Sequence, residues 1–389
     1  MKHEGARRRF RVVQVAACEF PSQRGSQALI GGVGALLAAR GHTVHTVSFS
    51  RRRRRALPHG PSWRRLGADL VLLWRLYRFV SQRPVDLLHA HNYEGVIAAC
   101  LIRAVTGLPV IYHAHNTLTD ELPFYGRTAW QRSLARRAGH WLDRWVPRQA
   151  DFTIALTDEV AEFLASCRVD GDRMRVVPPV IASVAASSEG PSVAPSQRQF
   201  VVAYAGNLDA YQDLDVLGGG FARFAAGHPS AVLRLVTHES EWQSRLCSEL
   251  QQLVTAGRAE VIVVAGPEAE QGWLESADLL VCPRRSWSGF PMKLFSYAAA
   301  GRPIVIAAEA ARSLCDGEAL VFAGGNRDAL AEALAKAAGD AALRQRLSAA
   351  SRSWWRRMTD TSIAAAALEE IYQAVESANH YGGRARVQD

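Results

Sequence analysis

The segment Ser288–Ala307, SGFPMKLFSYAAAGRPIVIA, combines a loop, the start of a helix and a short apolar strand. Gly289 and Pro291 interrupt regular structure, so we expect free backbone amides at residues 292–295, in the first turn of the helix. Free amides at the positive end of a helix favour a phosphate group. Gly301 is expected to end the helix, and PIVIA to form a buried strand. The segment therefore predicts an α/β fold with an anion site where a loop meets a helix.

Three cationic side chains lie close to this segment in the sequence, namely Arg284, Arg285 and Lys293. Each can add a charge-assisted hydrogen bond to those of the backbone amides. A ligand with two linked phosphates is therefore the occupant that the segment favours.

The composition is that of a globular protein large enough for two domains. Of the 389 residues 48% are hydrophobic, and the mean hydropathy is -0.07. Lys and Arg number 46 against 37 Asp and Glu, and the surplus lies mostly before residue 150. This asymmetry favours an anionic surface as a neighbour.

The six cysteines are far apart and form no CxxC pair, which indicates reduced side chains in a cytoplasmic protein. The run VVQVAAC that follows Arg7–Arg9 is too short and too polar for a signal peptide, and predicts a first buried strand. No stretch approaches about 18 uninterrupted apolar residues. We therefore expect a cytoplasmic protein that is soluble or peripheral on the inner face of the membrane.

Short β-branched runs alternate with helical patterns along the chain, which predicts parallel, doubly wound sheets. Residues 182–199 are rich in Ser, Ala and Pro without periodicity and predict a linker. The linker separates an N-terminal α/β domain, 1–181, from a C-terminal one, 200–358. We predict a helix at 359–378 and a tail at 379–389. Whether this helix crosses back to the N-terminal domain is left open. We expect the two similar halves to face a cleft that holds a ligand.

Several motifs in this order resemble glycosyltransferase family four, of the GT-B fold: PSQRGSQ, DLLHAHNYEG, VIYHAHN, YAGN and the segment quoted first. The resemblance covers roughly Phe10 to Ala350. It implies two Rossmann-like domains, with the acceptor on the first and a nucleotide sugar on the second. It also implies a retaining transfer of the sugar from a nucleotide-diphosphate sugar, without a required metal or other cofactor.

The family signature of two glutamates separated by seven residues is absent from this chain. Counting back from Gly301 places the two positions at Ser288 and Ser296. The resemblance implies that the second Glu holds ribose hydroxyls and that the first touches the sugar or the phosphates. A serine offers only a single, weaker hydrogen bond at each position.

A second departure concerns the loop after the first strand of the C-terminal domain. Many family members carry an Arg and a Lys there, and this chain has Asn207 and Gln212. Because a diphosphate leaving group needs donors where charge develops, we hypothesise that Arg284, Lys293 or Arg24 supplies the missing charge.

The glycine loop PSQRGSQ follows the first strand and precedes a helix, so Gly25 lets the backbone approach a ligand, while a simple turn is the alternative. Together with the resemblance, these patterns define the expected donor-binding residues. They are Gly25, Ser26, Gly206, Asn207, Gln212, Gly266, Arg284, Ser288, Gly289, Phe290, Pro291, Met292, Lys293, Leu294 and Ser296.

The motif VIYHAHN ends in His115, at the carboxyl end of a predicted strand, where open α/β sheets bind ligands. The resemblance implies that His115 contacts the transferred sugar or the acceptor hydroxyl, which makes it our candidate catalytic residue. HAH occurs twice, and taking alternate strand residues to point to opposite faces, we expect one His of each pair to be structural. A metal site of His89, His91 and His113 is not expected, since no carboxylate or cysteine completes the set.

Acceptor binding is assigned to His91, Glu94 and Glu121, which lie near the same strand ends. Either glutamate could instead cap a helix. The DLD motif at Asp213 to Asp215 is similar to a metal-binding DxD, but it precedes a helix and is expected to cap it.

Two basic segments carry aromatic side chains, SWRRLGADLVLLWRLYRFV from Ser62 and AWQRSLARRAGHWLDRWVPR from Ala129. Basic amphipathic helices of this kind can lie on anionic lipid. The alternative is that the apolar residues cover the sheet and the arginines are solvated. Nucleic acid is not an expected partner, since no binding module accompanies the charge.

These observations predict an enzyme that transfers a sugar to a lipid-linked or cell-envelope glycan acceptor. A sugar-nucleotide epimerase or a phosphorylase of similar architecture is an alternative. A non-catalytic scaffold of the same fold is another, because Asn207, Gln212, Ser288 and Ser296 replace charged residues of the family.

Overall fold

The computed structural model describes residues 8–20, 26–49, 63–126, 128–180, 199–285, 290–314 and 317–385. The chain forms two compact units. The first comprises Met1–Ala182 and Asp360–Asp389, and the second comprises Ser183–Thr359.

The first unit is built on a six-stranded parallel sheet in the order β2-β1-β3-β4-β5-β6. Its strands are β1 Arg11–Glu19, β2 Thr43–Phe49, β3 Leu87–His91, β4 Val110–Ala114, β5 Phe152–Ala155 and β6 Met174–Val176. The helices between them are α1 Ser26–Ala39, α2 Trp63–Gln82, α3 Asn92–Thr106, α4 Leu118–Glu121, α5 Ala129–Trp145 and α6 Asp158–Ser166.

The two faces of this sheet carry separate cores, because side chains alternate along each strand. Val13, Leu88 and Tyr112 belong to the core that includes residues of α2 and α3. Val12 and Ile111 belong to the opposite core, which includes residues of α1.

The second unit repeats this design with a sheet in the order β12-β11-β10-β7-β8-β9, also parallel. Its strands are β7 Phe200–Ala205, β8 Ala231–Thr237, β9 Ala259–Val263, β10 Leu279–Cys282, β11 Ile304–Ala307 and β12 Leu320–Phe322. Its helices are α7 Leu214–Gly227, α8 Ser248–Thr255, α9 Pro267–Glu275, α10 Lys293–Ala299, α11 Arg327–Gly339 and α12 Ala341–Thr359. Two Rossmann-like α/β domains are therefore present, which confirms the predicted fold class.

The last helix, α13 Thr361–Ala385, belongs to the first unit. Leu368 and Tyr372 are fully buried in the core shared with α1. Glu369 accepts hydrogen bonds from the Arg40 guanidinium at 2.8 and 3.2 Å. The helix extends through the start of the segment 379–389 that was predicted as a tail, since it ends only at Ala385.

Among the helices of the described residues, none is long and apolar enough to cross a membrane.

Candidate active site

The carboxyl end of β7 brings the loop residues of the second unit to one place. Gly206 follows the strand with φ of 138°, a conformation that residues with a side chain rarely adopt. A Cβ at this position would lie 3.2 Å from Nζ of Lys293. The absence of a side chain at Gly206 therefore lets the ammonium approach the end of the strand.

Lys293 is the first residue of α10, and its ammonium joins a polar chain in the β7–α7 loop. Nζ donates to Oε1 of Gln212 at 2.8 Å, and Nε2 of Gln212 donates to Oδ1 of Asn207 at 2.6 Å. Nζ also lies 3.9 Å from the ring centroid of Tyr204, within the range of a cation–π contact. Asn207 and Gln212, which stand at the family's Arg and Lys positions, are thus linked by hydrogen bonds to Lys293 of α10.

The electrostatics of this cluster favour an anion. Removal from water lowers the pKa of Lys293 to about 8, and the positive charge of Arg284 lowers it too. Arg284 is buried and lies 5.3 Å from the ring centroid of Tyr211, whose hydroxyl accepts from Asn207 Nδ2 at 2.7 Å. Two cations therefore share one set of polar side chains, and a bound anion would relieve their repulsion.

The first turn of α10 differs from the expected set of free amides. The amide of Leu294 donates to the carbonyl of Pro291 at 2.9 Å, and the amide of Phe295 donates to that of Met292 at 3.1 Å. These two donors are engaged within the turn, so the prediction that residues 292–295 present four free amides is wrong. The side chains of Lys293 and Arg284 contribute positive charge to this site.

Other predicted donor-binding residues have varied surroundings. Phe290 is buried and stacks on Trp354 with ring centroids 6.1 Å apart, and the side chain of Leu294 is fully buried. Gly266 precedes α9 with extended backbone and has open space where a Cβ would stand. Ser296 lies within α10 and is half-buried. Four of the predicted positions lie outside the described residues or are described only in their backbone: Gly25, Ser26, Ser288 and Gly289.

Arg285 and Asp213 form an ion pair that the sequence did not indicate. Oδ2 of Asp213 accepts from the amide and Nε of Arg285 at 2.8 and 3.0 Å, and Oδ1 accepts from Nη2 at 2.8 Å. Asp213 therefore binds Arg285 and makes no side-chain cap of α7, contrary to the expectation for the DLD motif. Arg285 is committed to this structural pair, which makes it a weaker candidate for a phosphate.

Two acidic side chains of the second unit also contact the β7–α7 loop, and the sequence patterns did not predict them. Asp209 accepts from Asn207 Nδ2 at 2.6 Å and pairs with Arg245. Glu239 accepts from the amide of Leu208 at 2.8 Å and pairs with Nε of Arg245 at 3.3 Å. These contacts fix the loop after β7, and nothing in a linear pattern points to them.

In the first unit, four histidines from β3 and β4 form a row. His89 and His91 lie on β3, His113 lies on β4 and His115 follows it, and His91 is opposite His113 in the register. The rings of His89 and His91 stack with centroids 4.7 Å apart, as do those of His113 and His115 at 5.1 Å. Residues two apart on a strand share a face. The expectation that one His of each HAH motif would point to the opposite face is therefore wrong.

All four imidazoles are buried, and burial favours their neutral form. Burial lowers the pKa of His89 to about 3 and that of His115 to about 4, and it lowers the pKa values of His91 and His113 as well. His89 Nε2 lies 3.1 Å from His113 Nδ1, and His91 Nδ1 lies 2.9 Å from His115 Nε2. The row thus consists of two hydrogen-bonded pairs.

A metal would have to replace these hydrogen bonds. Nitrogen atoms of His89, His91 and His113 lie within 4.8 Å of one another, which is a candidate ligand set. However, their rings are stacked side by side instead of converging on a point. No anionic side chain of the described residues joins the set to balance a buried divalent cation. The arrangement fits a row of neutral hydrogen-bonded imidazoles better than a metal site.

The predicted acceptor-binding residues are only partly brought together. Glu121 ends α4 and accepts from Asn116 Nδ2 and from the hydroxyl of Tyr125. Burial raises the pKa of Glu121, and the negative charge of Glu94 raises it further. Glu94 pairs with Nη2 of Arg65 at 3.0 Å. His91 is fully buried, and its Nδ1 lies 2.9 Å from His115 Nε2, so its contacts are within the row of histidines.

Asp143 is a buried carboxylate in α5 that holds α4 in place. It accepts from the amides of Leu118 and Thr119 at 2.9 and 2.8 Å, from the Thr119 hydroxyl at 2.6 Å, and from the hydroxyl of Tyr93. The position of Glu121 on α4 therefore depends on α5. A single Asp inside a basic helix gave no sign of this role.

Comparisons with known proteins agree with this architecture. A model of Glycosyltransferase Family 4 matches residues 25–182, and a model of Glycosyl transferases group 1 matches residues 199–340. A comparison with curated protein sequences finds no match.

Solved structures resemble the chain over nearly its full length. Sucrose-phosphate synthase of Thermosynechococcus elongatus has a TM-score of 0.77 at 13% identity, over 95% of this chain and 100% of that chain. HepE of Anabaena in complex with UDP-glucose has a TM-score of 0.68 at 14% identity, over 95% and 100%. WaaG, a glycosyltransferase involved in lipopolysaccharide biosynthesis, has a TM-score of 0.67 at 18% identity, over 92% and 99%. At such identities the likeness establishes the fold.

The two Rossmann-like domains and the matching family models define a glycosyltransferase enzyme of the GT-B fold. The chain belongs to glycosyltransferase family four.

Proposed function

We propose that the protein transfers a sugar, with retention of anomeric configuration, from a nucleotide-diphosphate sugar to a lipid-linked or cell-envelope glycan acceptor. The hydrogen bond from Lys293 to Gln212 carries the donor half of this proposal. A lysine from α10 supplies a cation at one of the two positions where the chain departs from the family pattern. Replacement of the charge, instead of its loss, favours an active enzyme over a non-catalytic scaffold.

Lys293 and Arg284 would act on the leaving diphosphate. Negative charge grows on the bridging oxygen as the bond to the sugar breaks, and preformed cations stabilise it. The acceptor hydroxyl approaches the face from which the diphosphate leaves, and a phosphate oxygen accepts its proton, so no separate base is needed. Since side chains supply the charge, we propose that the reaction needs neither a metal nor another cofactor.

HepE and WaaG support the choice of substrates. HepE binds UDP-glucose, and WaaG is involved in lipopolysaccharide biosynthesis. We propose a sugar nucleotide as donor for this chain, and His115, Glu94 and Glu121 as the residues nearest the acceptor hydroxyl.

The donor site is tested by the variants Lys293→Ala and Arg284→Ala, with Lys336→Ala as a matched control on the exposed face of α11. Hydrogen bonds to charged groups contribute about 1.5–3 kcal/mol, so each variant of the site should weaken binding by about 10- to 100-fold. Calorimetry with UDP-glucose and GDP-mannose measures this. Unchanged affinity in both site variants would refute the assignment.

Product analysis separates the enzymatic alternatives. Transfer to a glycan acceptor is expected only when acceptor is present. A change in the donor sugar without acceptor would identify an epimerase, and no turnover with any sugar nucleotide would identify a scaffold.

The acceptor half of the proposal rests on two apolar stripes on the first unit. On α2, Leu66, Leu70, Trp74 and Tyr77 are exposed, Leu70 by 68%. Leu72 and Leu76 of the same helix are the residues buried against the sheet. The alternative that the apolar residues of this segment cover the sheet holds for Leu73, which packs against the same core, and not for the exposed four.

A second stripe runs along α5, where Trp130, Leu134, Trp141 and Trp145 are exposed. Arginines accompany both stripes, including Arg75 and Arg78 on α2 and Arg136 and Arg144 on α5. Apolar side chains flanked by cations match the interface of an anionic bilayer. We propose that the first unit lies on such a membrane, on its cytoplasmic side, where a lipid-linked acceptor is presented.

Flotation with vesicles tests this surface. Binding to vesicles that contain phosphatidylglycerol is expected at low salt, and weaker binding at high salt or with neutral vesicles. Leu70→Asp with Trp74→Asp should abolish it, whereas Ile363→Asp, at an exposed apolar position of α13, should not. Absence of wild-type binding at low salt would exclude the membrane proposal.

A further inference from the structure

Gln14 is a buried amide in β1 with three polar neighbours. Its Nε2 donates to the carbonyl of Ile30 at 3.1 Å, and its Oε1 accepts from the hydroxyl of Thr46 at 3.0 Å. Nε2 also lies 3.5 Å from Nε2 of His91. Gln14 of β1 thus contacts the row of histidines through His91 of β3.

The orientation of this amide is determined by Ile30. A carbonyl oxygen can only accept, so the atom that faces it must be the NH₂ group. That leaves the second hydrogen of the NH₂ group for Nε2 of His91, 3.5 Å away. Nε2 of His91 must then be the acceptor of the pair.

The tautomer of His91 determines that of His115. A neutral imidazole has one N–H and one lone pair, so a lone pair on Nε2 of His91 places the hydrogen on Nδ1. That Nδ1–H donates to Nε2 of His115 at 2.9 Å. His115 therefore carries its own hydrogen on Nδ1. This atom is buried and has no hydrogen-bond partner among the described residues.

We propose that Gln14, acting through His91, is a positioning residue that fixes His115 as a neutral Nδ1–H donor. The inference rests on the proposed function, in which His115 contacts the sugar or the acceptor. His115 then gives a hydrogen bond to a substrate oxygen and does not act as a base. The recipient is a hydroxyl or an ether oxygen of the sugar or of the acceptor.

A second pair in the same row provides an internal control. The hydroxyl of Tyr372 lies 2.6 Å from Nδ1 of His89, and Nε2 of His89 lies 3.1 Å from Nδ1 of His113. The contacts of this pair do not include Gln14. Tyr372→Phe should therefore leave the tautomer of His115 unchanged.

The tautomers can be measured directly by long-range ¹⁵N NMR of the full-length protein labelled at histidine, without any substrate. Nδ1–H is expected for His91 and for His115 at pH 7.5, although free imidazole side chains prefer Nε2–H. The resonances are assigned with His91→Asn and His115→Asn. An Nε2–H tautomer at His115, or a protonated ring, would overturn the proposal.

Gln14→Glu and Gln14→Leu test the role of the amide. A carboxylate accepts, so Gln14→Glu should move the hydrogen of His91 to Nε2 and that of His115 to Nε2. Gln14→Leu removes the constraint and should give mixed tautomers. If His115 remains Nδ1–H in both variants, Gln14 has no positioning role.

Kinetics connect the tautomer to function. With the hydrogen bond to substrate lost, Gln14→Glu should lower kcat/KM by about tenfold. Gln14→Leu, with mixed tautomers, should lower it less, and the affinity for UDP alone should stay unchanged in both variants. An unchanged kcat/KM alongside an altered tautomer would overturn the functional part. If the tautomers are as expected but no sugar nucleotide is turned over, the proposed function fails and the tautomer assignment stands.

Discussion

The hydroxyl of Tyr372 lies 2.6 Å from Nδ1 of His89, so the last helix of the chain is hydrogen-bonded to a central strand of the first unit. Both groups are fully buried, and removal of the hydroxyl leaves the imidazole nitrogen without its partner. We expect Tyr372→Phe to destabilise the first unit by about 1–3 kcal/mol. The unfolding midpoint in urea measures this. Tyr77→Phe, at an exposed tyrosine, serves as the control, and equal midpoints for the two variants would contradict the prediction.

Buried histidines should make the first unit sensitive to acid. The folded-state pKa values of the four row members lie below the usual 6.5, and that of His42 is lowered as well, in each case mainly by burial. The unfolded chain therefore binds more protons than the folded one as pH falls below 6.5. Stability should be complete above pH 6.5 and decline as pH falls from there toward 3–4.

Two carboxylates oppose this trend over part of the same range. Burial raises the pKa of Asp69 to about 6 and raises that of Glu121, so both contribute stability that is lost as pH rises. Five histidines outnumber these two groups, and the net effect should follow the histidines. Thermal unfolding followed at several pH values between 7.5 and 4.5 measures this balance. A melting temperature that is flat or rises toward pH 4.5 would contradict the prediction.

Contact between α4 and α5 depends on a glycine. A Cβ at Gly139 would lie 2.4 Å from the carbonyl oxygen of Leu118, closer than such atoms approach. Gly139→Ala should therefore push α4 away and cost about 1–3 kcal/mol. Gly171→Ala is the control, because open space surrounds that position. The free energies of unfolding of the two variants are measured and compared. Equal values would show that α4 can shift without loss of stability.

The fold could be predicted from the sequence because its signals are local. Alternation of β-branched runs with helical patterns determines a parallel α/β domain, and both sheets have this form. Ligand binding at the carboxyl ends of the strands stays a prediction. Residues two apart on a strand share a face, so the sequence also implied that His89 and His91 point the same way. The expectation of opposite faces applied this rule wrongly.

The contacts that define the site could not be predicted, because they join residues distant in sequence. Lys293 and Gln212 are 81 residues apart, and Asp213 and Arg285 are 72 apart. Which of the neighbouring cations reaches the β7–α7 loop depends on the packing of α10. The sequence left Arg284, Lys293 and Arg24 as alternatives for this reason.

The lowered pKa of Lys293 makes donor binding dependent on pH. Only the charged ammonium attracts a diphosphate, and with a pKa of about 8 it loses its proton near that pH. The affinity for UDP-glucose should therefore fall as pH rises from 7 to 9.5. A bound anion favours the charged form, so the midpoint in the complex lies above that of the free protein.

The variant Lys293→Arg distinguishes deprotonation of Lys293 from deprotonation of other groups. A guanidinium stays charged throughout the range, so any affinity that this variant retains at pH 7 should persist to pH 9.5. Calorimetry at a series of pH values for the wild type, Lys293→Arg and Lys336→Ala provides the comparison. A parallel decline in all three proteins would mean that the effect arises from another group. A decline in the wild type and in Lys336→Ala, with none in Lys293→Arg, is the result expected if this ammonium holds the diphosphate.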